Sequence, residues 1–185
     1  MASIFRAYQR LLNTRPLATQ MISSGVLGAS GDAICQYIIE RRTHQSYDKW
    51  RTVRFFVLPC FFIAPVLSKW LVLLERVKGH PKIVPLKKLL IDQICYAPFF
   101  SASIIFNLRV LEGHSLTESK DMLVRDFWNI YQHSIKYWPC VQLVNFYLMP
   151  LNFRVIFVQI AALAWNTFLS FKTQTKLEDV VIPLE

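Results

Sequence analysis

The alternation of apolar and polar positions divides this chain into four long apolar segments separated by basic connections. They run from about Leu17 to Ile39, Phe55 to Leu74, Leu89 to Val110, and Trp138 to Ser170. Each offers the roughly 20 residues that a helix needs to cross a hydrocarbon layer about 30 Å thick. None alternates with the two-residue period of a half-buried strand. The pattern therefore predicts an all-α membrane protein: a bundle of about four transmembrane helices with proline kinks, plus amphipathic interfacial helices. Residues 1–173 make up a single integral membrane domain and 174–185 a polar tail, with loose order expected from Lys172 onward.

The last apolar segment organises the rest. From Trp138 to Ser170 it carries one formal charge, Arg154, and is interrupted by Pro139 and Pro150. Proline lacks the donor that a helix interior needs, so a break is expected at Pro150, with Pro150 opening the following helix. Amides recur at helical spacing: Gln142 and Asn145 before that break, then Asn152, Gln159 and Asn166 seven apart on one face. Unsatisfied amides in hydrocarbon cost several kcal/mol, so partners are required. Two accounts remain open, hydrogen-bonded glue between helices and the wall of an aqueous path. Arg154 is expected to be paired inside the bundle, with Asp32 first among candidate partners, Asp92 second, and carbonyls freed at the break as the alternative.

Similar stripes mark the other segments. In the first, Gly25, Gly28, Asp32 and Gln36 share a face, with Gly31 nearby. Its small residues predict close packing on another helix. In the third, Asp92, Tyr96, Ser103 and Asn107 form a polar stripe, with Asp92 close enough to Lys87 and Lys88 to lie at headgroup depth. Lys69, near the end of the second segment, is expected to snorkel or to pair with Asp32 or Asp92. Pro59, Pro65 and Pro98 predict kinks. Between the third and fourth segments, Ser115 and Glu118 form a capping-box pattern that opens a helix through about Tyr137, lying on the membrane surface or against the bundle.

The first 16 residues hold Arg6, Arg10 and Arg15 and no acid. That fits a mitochondrial transit sequence or an uncleaved helix lying on the headgroups. The composition agrees with a membrane protein: 54% hydrophobic, 18% charged, net charge +9. The basic residues lie between apolar runs instead of in one patch, which favours anionic lipid over direct nucleic-acid contact. Cys35, Cys60, Cys95 and Cys140 have no zinc spacing, and no metal or other cofactor is expected. Cys35 and Cys95, near the polar stripes, are candidates for redox tuning. No nucleophile stands beside a positioned base, so the chain does not read as an enzyme.

The motif W-P-x-x-Q-x-x-N-F-x-x-x-P-x-x-x-R, on Trp138, Pro139, Gln142, Asn145, Phe146, Pro150 and Arg154, resembles the signature of the Mpv-seventeen family, which includes the twenty-two-kilodalton peroxisomal membrane protein. W-N-T-F-L-S-F-K from Trp165 to Lys172 resembles its closing motif. R-A-Y-Q-R-L-L from Arg6, T-R-P from Thr14, G-D-x-x-x-Q from Gly31 and L-K-K-L-L-x-D-Q from Leu86 match as well, so the likeness covers about residues 4–173. Ala64 departs from the family's usual glycine before Pro65. The resemblance implies a multi-pass protein of the mitochondrial inner membrane or, alternatively, the peroxisomal membrane. It also implies channel-like passage of small metabolites, affecting membrane potential, matrix nucleotide supply and mitochondrial DNA maintenance. The alternative is a structural or assembly protein without conductance; a homo-oligomer is compatible with either.

Overall fold

The computed structural model describes the backbone of residues 2–80, 83–149 and 154–181, and the side chains of 6–80, 83–145, 147–149 and 157–174. No strand occurs among the described residues. Helix α1 (Ala2–Thr14) leads after one residue into α2 (Pro16–Ile34), which continues through a wide π turn, Cys35–Ile39. Helices α3 (Lys49–Leu58) and α4 (Ala64–Leu74) are joined by a π turn, Pro59–Ile63. Helices α5 (Val84–Ile91) and α6 (Ala97–Leu111) are joined by another, Asp92–Tyr96. Helices α7 (Leu116–Tyr147) and α8 (Arg154–Val181) complete the chain.

The expected proline kinks take the form of these wide turns. The Ala64 amide bonds to the Pro59 carbonyl and the Ala97 amide to the Asp92 carbonyl, each five residues back, immediately before Pro65 and Pro98. A proline ring clashes with the carbonyl four residues earlier, and a widened turn removes that clash without ending the helix. Two unbroken rods result, Lys49–Leu74 and Val84–Leu111, each long and apolar enough to cross a membrane. Only 28% and 11% of their most apolar stretches are buried by the protein. Ile94 and Phe99 are 69% and 75% exposed. A soluble core helix would be covered, so lipid is the solvent that such faces require.

Successive rods alternate in direction. Gly28 meets Phe55 and Pro59, whereas Gln20 bonds to Ser68 farther along. Trp70 stacks on Tyr96 and Phe62 on Phe100. Arg109 reaches Asp126, and the Tyr131 hydroxyl donates to the Gln93 carbonyl. Tyr137 donates to the Ala161 carbonyl and His133 packs on Phe168. Consequently α8 runs parallel to α2. A shared core of Phe55, Leu58, Ile105, Leu108, Ile130 and Leu169 joins α3, α6, α7 and α8.

Two expectations are corrected here. The capping box is present, with the Ser115 hydroxyl accepting from the Glu118 amide and the Glu118 carboxylate accepting from the Ser115 amide. Those bonds hold the Glu118 carboxyl below its ordinary range. The helix that they open does not stop near Tyr137. It passes through Pro139 to Tyr147, packed between α6 and α8. The apolar segment from Trp138 to Ser170 is therefore a reversal between two antiparallel helices, not one interrupted crossing; Pro150 and Asn152 themselves lie outside the described residues. Helix α8 continues past Lys172 to Val181, with Thr173 fully buried and Gln174 nearly so, and residues 182–185 lie outside the described residues. Replacing Ser115 by alanine should remove a cap worth about 0.5–2 kcal/mol. Thermal unfolding of the variant in lipid nanodiscs measures this directly, and an unchanged midpoint would show that α7 is held by packing alone.

Candidate functional site

A buried polar cluster is centred on Asp32, which is inaccessible to solvent. The carboxylate uses both oxygens fully. Oδ1 accepts from the Ser170 hydroxyl at 2.6 Å and lies 2.7 Å from Arg51 Nε. The latter is a charge contact without hydrogen-bond alignment. Oδ2 accepts from the Thr52 hydroxyl at 2.6 Å and from Gln36 Nε2 at 2.8 Å. Arg51, only 2% exposed, directs its other face at Glu40, with Nη1 and Nη2 on the two carboxylate oxygens at 2.9 and 2.7 Å. Such a fork is among the strongest side-chain pairings. Arg51 also donates to Ser170 at 2.7 Å. The serine therefore links α8 to an acid on α2 and a base on α3.

Local sequence explains how these groups meet. The π turn Cys35–Ile39 ends at Arg41, which adopts a left-handed φ of 53°. The Arg42 amide then bonds back to the Gln36 carbonyl at 2.8 Å, as in a Schellman ending. This turn brings Glu40 back over Arg51 and Arg42. Burial alone would raise the Glu40 carboxyl, but hydrogen bonds and charge from Arg51, with help from Arg42, hold it below its ordinary value of 4.5. Gln36 ties the two helix ends together by accepting from the Asp48 amide and donating to the Asp48 carbonyl. Asp48 in turn caps α3 through the Arg51 amide.

A second charged cluster lies close by along α8. Arg109, fully buried, donates to Glu112 at 2.8 Å, to Asp126 at 3.0 Å and to the Thr173 carbonyl at 3.0 Å. Gln174 donates to Glu112. Ser170 and Thr173 are less than one helical turn apart, so two arginines hold the same stretch of α8 from different neighbours.

From Ser170 a polar seam follows the α2–α8 contact. Gly31 lies against Asn166 and Thr167 so closely that an added Cβ would sit 2.7 Å from Asn166 Cβ. Farther along, Gln159 Nε2 and the Ser23 hydroxyl both approach the Tyr8 hydroxyl of α1, at 3.5 and 3.3 Å. Eleven residues separate Gln159 from Ser170, about 16 Å along the axis. The opposite face of α8 lines an open groove of about 580 Å³ against α7, with apolar walls from Val141, Val144, Phe157, Trp165 and Phe168. Polar and apolar faces of α8 are thus segregated.

The stripes foreseen in the sequence do not all converge. Asp32, Gln36, Gln159 and Asn166 belong to the seam. Asp92 instead accepts from Trp70 Nε1 at 2.7 Å and from Gln93, while Tyr96 is stacked between Trp70 and Phe100. Asn107 bonds within its helix, to the Ser103 carbonyl. Asn145 is buried on α7, and Gln142 is half-buried there. Asp32 is held by Arg51, Ser170, Gln36 and Thr52; the expected pairing of Arg154 with Asp32 or Asp92 falls on a side chain outside the described residues. Lys69 is exposed, as snorkelling requires. Cys35 is fully buried and its thiol donates to Glu40, so it lacks solvent access, whereas Cys95 is exposed. The sequence reading missed Arg51, Glu40, Arg109, Asp126 and Ser170. Arg51 lies three residues after the capping Asp48, and Arg109 three before Glu112; those pairings were the available signals.

Fold and site together define a helical integral membrane protein with its charges paired in the interior and its apolar faces turned outward. The chain belongs to the Mpv17 / PMP22 family, whose model matches residues 109–170. It is 46% identical over 173 residues to the mitochondrial inner membrane protein Mpv17 of Caenorhabditis elegans, covering 93% of this chain and 94% of that one. The Homo sapiens protein of the same name is 38% identical, covering 92% and 97%. The Bos taurus protein is 39% identical, again covering 92% and 97%. No solved structure matches the chain. Its place is the mitochondrial inner membrane.

Proposed function

We propose that the protein is a small-solute channel of this membrane and that the α2–α8 seam is its path, closed in this structure. Five helical rods cross the bilayer in this reading: α2, α3–α4, α5–α6, α7 and α8, in place of the four expected from hydropathy. The observation that carries the proposal is the seam itself. Tyr8, Ser23, Gln159, Asn166, Ser170 and Asp32 form a file of hydrogen-bonding groups about 16 Å long in a protein whose outer faces are apolar. Intramembrane polar and ionisable groups are costly and mark solute paths when they face the interior. At one end, Arg51 closes the file by holding Asp32, Glu40 and Ser170 together. Separation of α8 from α2 at Ser170 would open it. Passage of metabolites by this route would influence membrane potential and matrix nucleotide supply, and through them mitochondrial DNA maintenance.

The complete satisfaction of the Asp32 carboxylate favours a second reading, in which the same groups are only inter-helix glue. Purified protein in a planar bilayer separates the two. Discrete conductance is expected, together with its loss when Ser170→Cys is oxidised onto native Cys35, since both positions contact Arg51 Nη2 at present. Reductant should restore it. Folded protein without any conductance would leave the structural reading standing.

A further inference from the structure

We infer that the groove between α7 and α8 is a site for one acyl chain of an anionic phospholipid, with the headgroup held at its basic end; this does not depend on the channel reading. The antiparallel pairing of the helices orders the groove. His133 packs on Phe168 and Tyr137 stacks on Trp165 at one end. Equal rise along both helices then sets Val144 beside Phe157 at the other end, about 12 Å along the axis from Lys136. Leu143 and Ile160 are exposed beside the groove, which opens onto lipid. Lys136 and His133 line the first end, and Lys172 follows Phe168 by one turn on the same face of α8. Lys136 is exposed, and neither lysine has an ion-pair partner among the described residues. No acid lines the groove among the described residues. Asp126 lies ten residues from Lys136 and is held by Arg109 and Arg125. Glu178 lies six residues past Lys172. Asp92 bonds to Gln93, which meets Tyr131, and helical period puts Tyr131 on the opposite face of α7.

The groove's volume of about 580 Å³ is in the range that holds a single small ligand. Its aromatic end sets the depth. Tyr137, Trp138 and Trp165 pack on one another there, and tryptophan and tyrosine favour the headgroup level. A lysine stem lies along apolar surface while its ammonium reaches toward water, where it meets lipid phosphates. Basic side chains over a groove between membrane helices are the arrangement that holds acidic headgroups. A zwitterionic lipid supplies the same chain without the net charge that two unpaired lysines attract. A second copy docked here by two-fold symmetry would oppose the basic ends of the two grooves, like charge on like. Bound in the groove, the acyl chain covers the apolar face of α8, whose polar face is already covered by α2.

The test is photo-crosslinking of the purified full-length protein in nanodiscs. The probes are phosphatidylglycerol and phosphatidylcholine carrying the same diazirine-tagged acyl chain at equal mole fraction, with adducts mapped by mass spectrometry. Phosphatidylglycerol should label Val141, Val144 and Phe157 several-fold more than phosphatidylcholine does. Both should label the exposed Ile94 and Phe99 of α5–α6 alike. The excess should shrink as ionic strength rises. Lys136→Glu combined with Lys172→Glu should bring it to parity, whereas Lys120→Glu, an exposed charge change farther along α7, should leave it unchanged. Phosphatidylglycerol should also raise the unfolding midpoint of the wild type above its value in phosphatidylcholine, and should lose that effect in the double variant. If the double variant does not fold, Ala164→Phe, which fills the groove, should remove labelling of Val144 and Phe157 while sparing Ile94. Equal labelling of the groove by the two lipids makes it ordinary boundary lipid and overturns the inference. So does an excess indifferent to the lysine changes, and so do protomer pairs cross-linked through the groove, which would assign it to a second copy.

Discussion

Arg51→Gln should cost about 3–5 kcal/mol of stability, because it leaves Asp32 buried without its cation and Glu40 with Arg42 alone. The magnitude follows from where the charges are. Asp32 and Arg51 are 0% and 2% exposed, so water cannot replace what is lost. The reverse change, Asp32→Asn, should cost less, since Arg51 retains its fork with Glu40. The double variant should be more stable than the sum of the single losses predicts, by the coupling of a contacting pair, typically about 0.5–3 kcal/mol. By contrast, Arg154→Gln and Asp32→Asn should be additive, because the acceptor positions of Asp32 are already occupied by residues of α2, α3 and α8. Denaturant or thermal unfolding in nanodiscs provides both cycles. Additivity between Arg51 and Asp32 would mean that their proximity is energetically idle.

Gly28→Leu should prevent stable folding, and Gly28→Ala should already cost at least as much as the usual overpacking penalty of about 1–3 kcal/mol. A Cβ at this position would stand 2.1 Å from the Phe55 carbonyl oxygen and 2.8 Å from the Pro59 ring. The carbonyl is backbone, so the clash is relieved only by moving α3 away from α2. That movement would also separate Asp32 from Arg51 and Thr52. Gly25→Ala should be milder, because its nearest neighbour, at 2.9 Å, is the edge of the Phe56 ring, which can rotate. Gly31→Ala meets Asn166 and the Thr167 amide and should loosen the seam on the α8 side. Unfolding midpoints of the three alanine variants give the ranking. A Gly28→Cys variant readily labelled from the lipid phase, with Gly28→Leu as stable as wild type, would refute the close contact.

Much of this was legible in the chain. The apolar lengths and the absence of strand alternation specified an all-helical membrane protein, because a backbone in hydrocarbon must satisfy its own donors and acceptors. The capping box at Ser115 and Glu118 is a local event, and local spacing announced it. The small face of Gly25, Gly28 and Gly31 announced close packing, because only a missing side chain admits another backbone so near. Gln159 and Asn166 were visible as one face of one helix, since helical period alone places residues seven apart together.

What the chain by itself left undecided was every pairing across distance. Periodicity identifies which residues share a face and says nothing about which face opposes it, so it could not point Asp32 to Arg51. Arg51 stood among five basic residues at a loop boundary, where charge is ordinarily solvated; only the π turn and the left-handed Arg41, by carrying Glu40 back over the helix end, make it an interior residue. The polar stripes of α2 and α5–α6 look alike in sequence and are sorted to different neighbours by packing, with Asp92 turned toward Trp70. Pro150 marked a break, but a kink and a reversal have the same local signature. The direction of the chain after Tyr147 was decided by the fit of α8 between α7 and α2, with its apolar face on one and its amides on the other. Sequence therefore determined the helices and the faces that they carry; the tertiary structure alone decided the partners, because ion pairs and close contacts depend on distances that one-dimensional spacing does not contain.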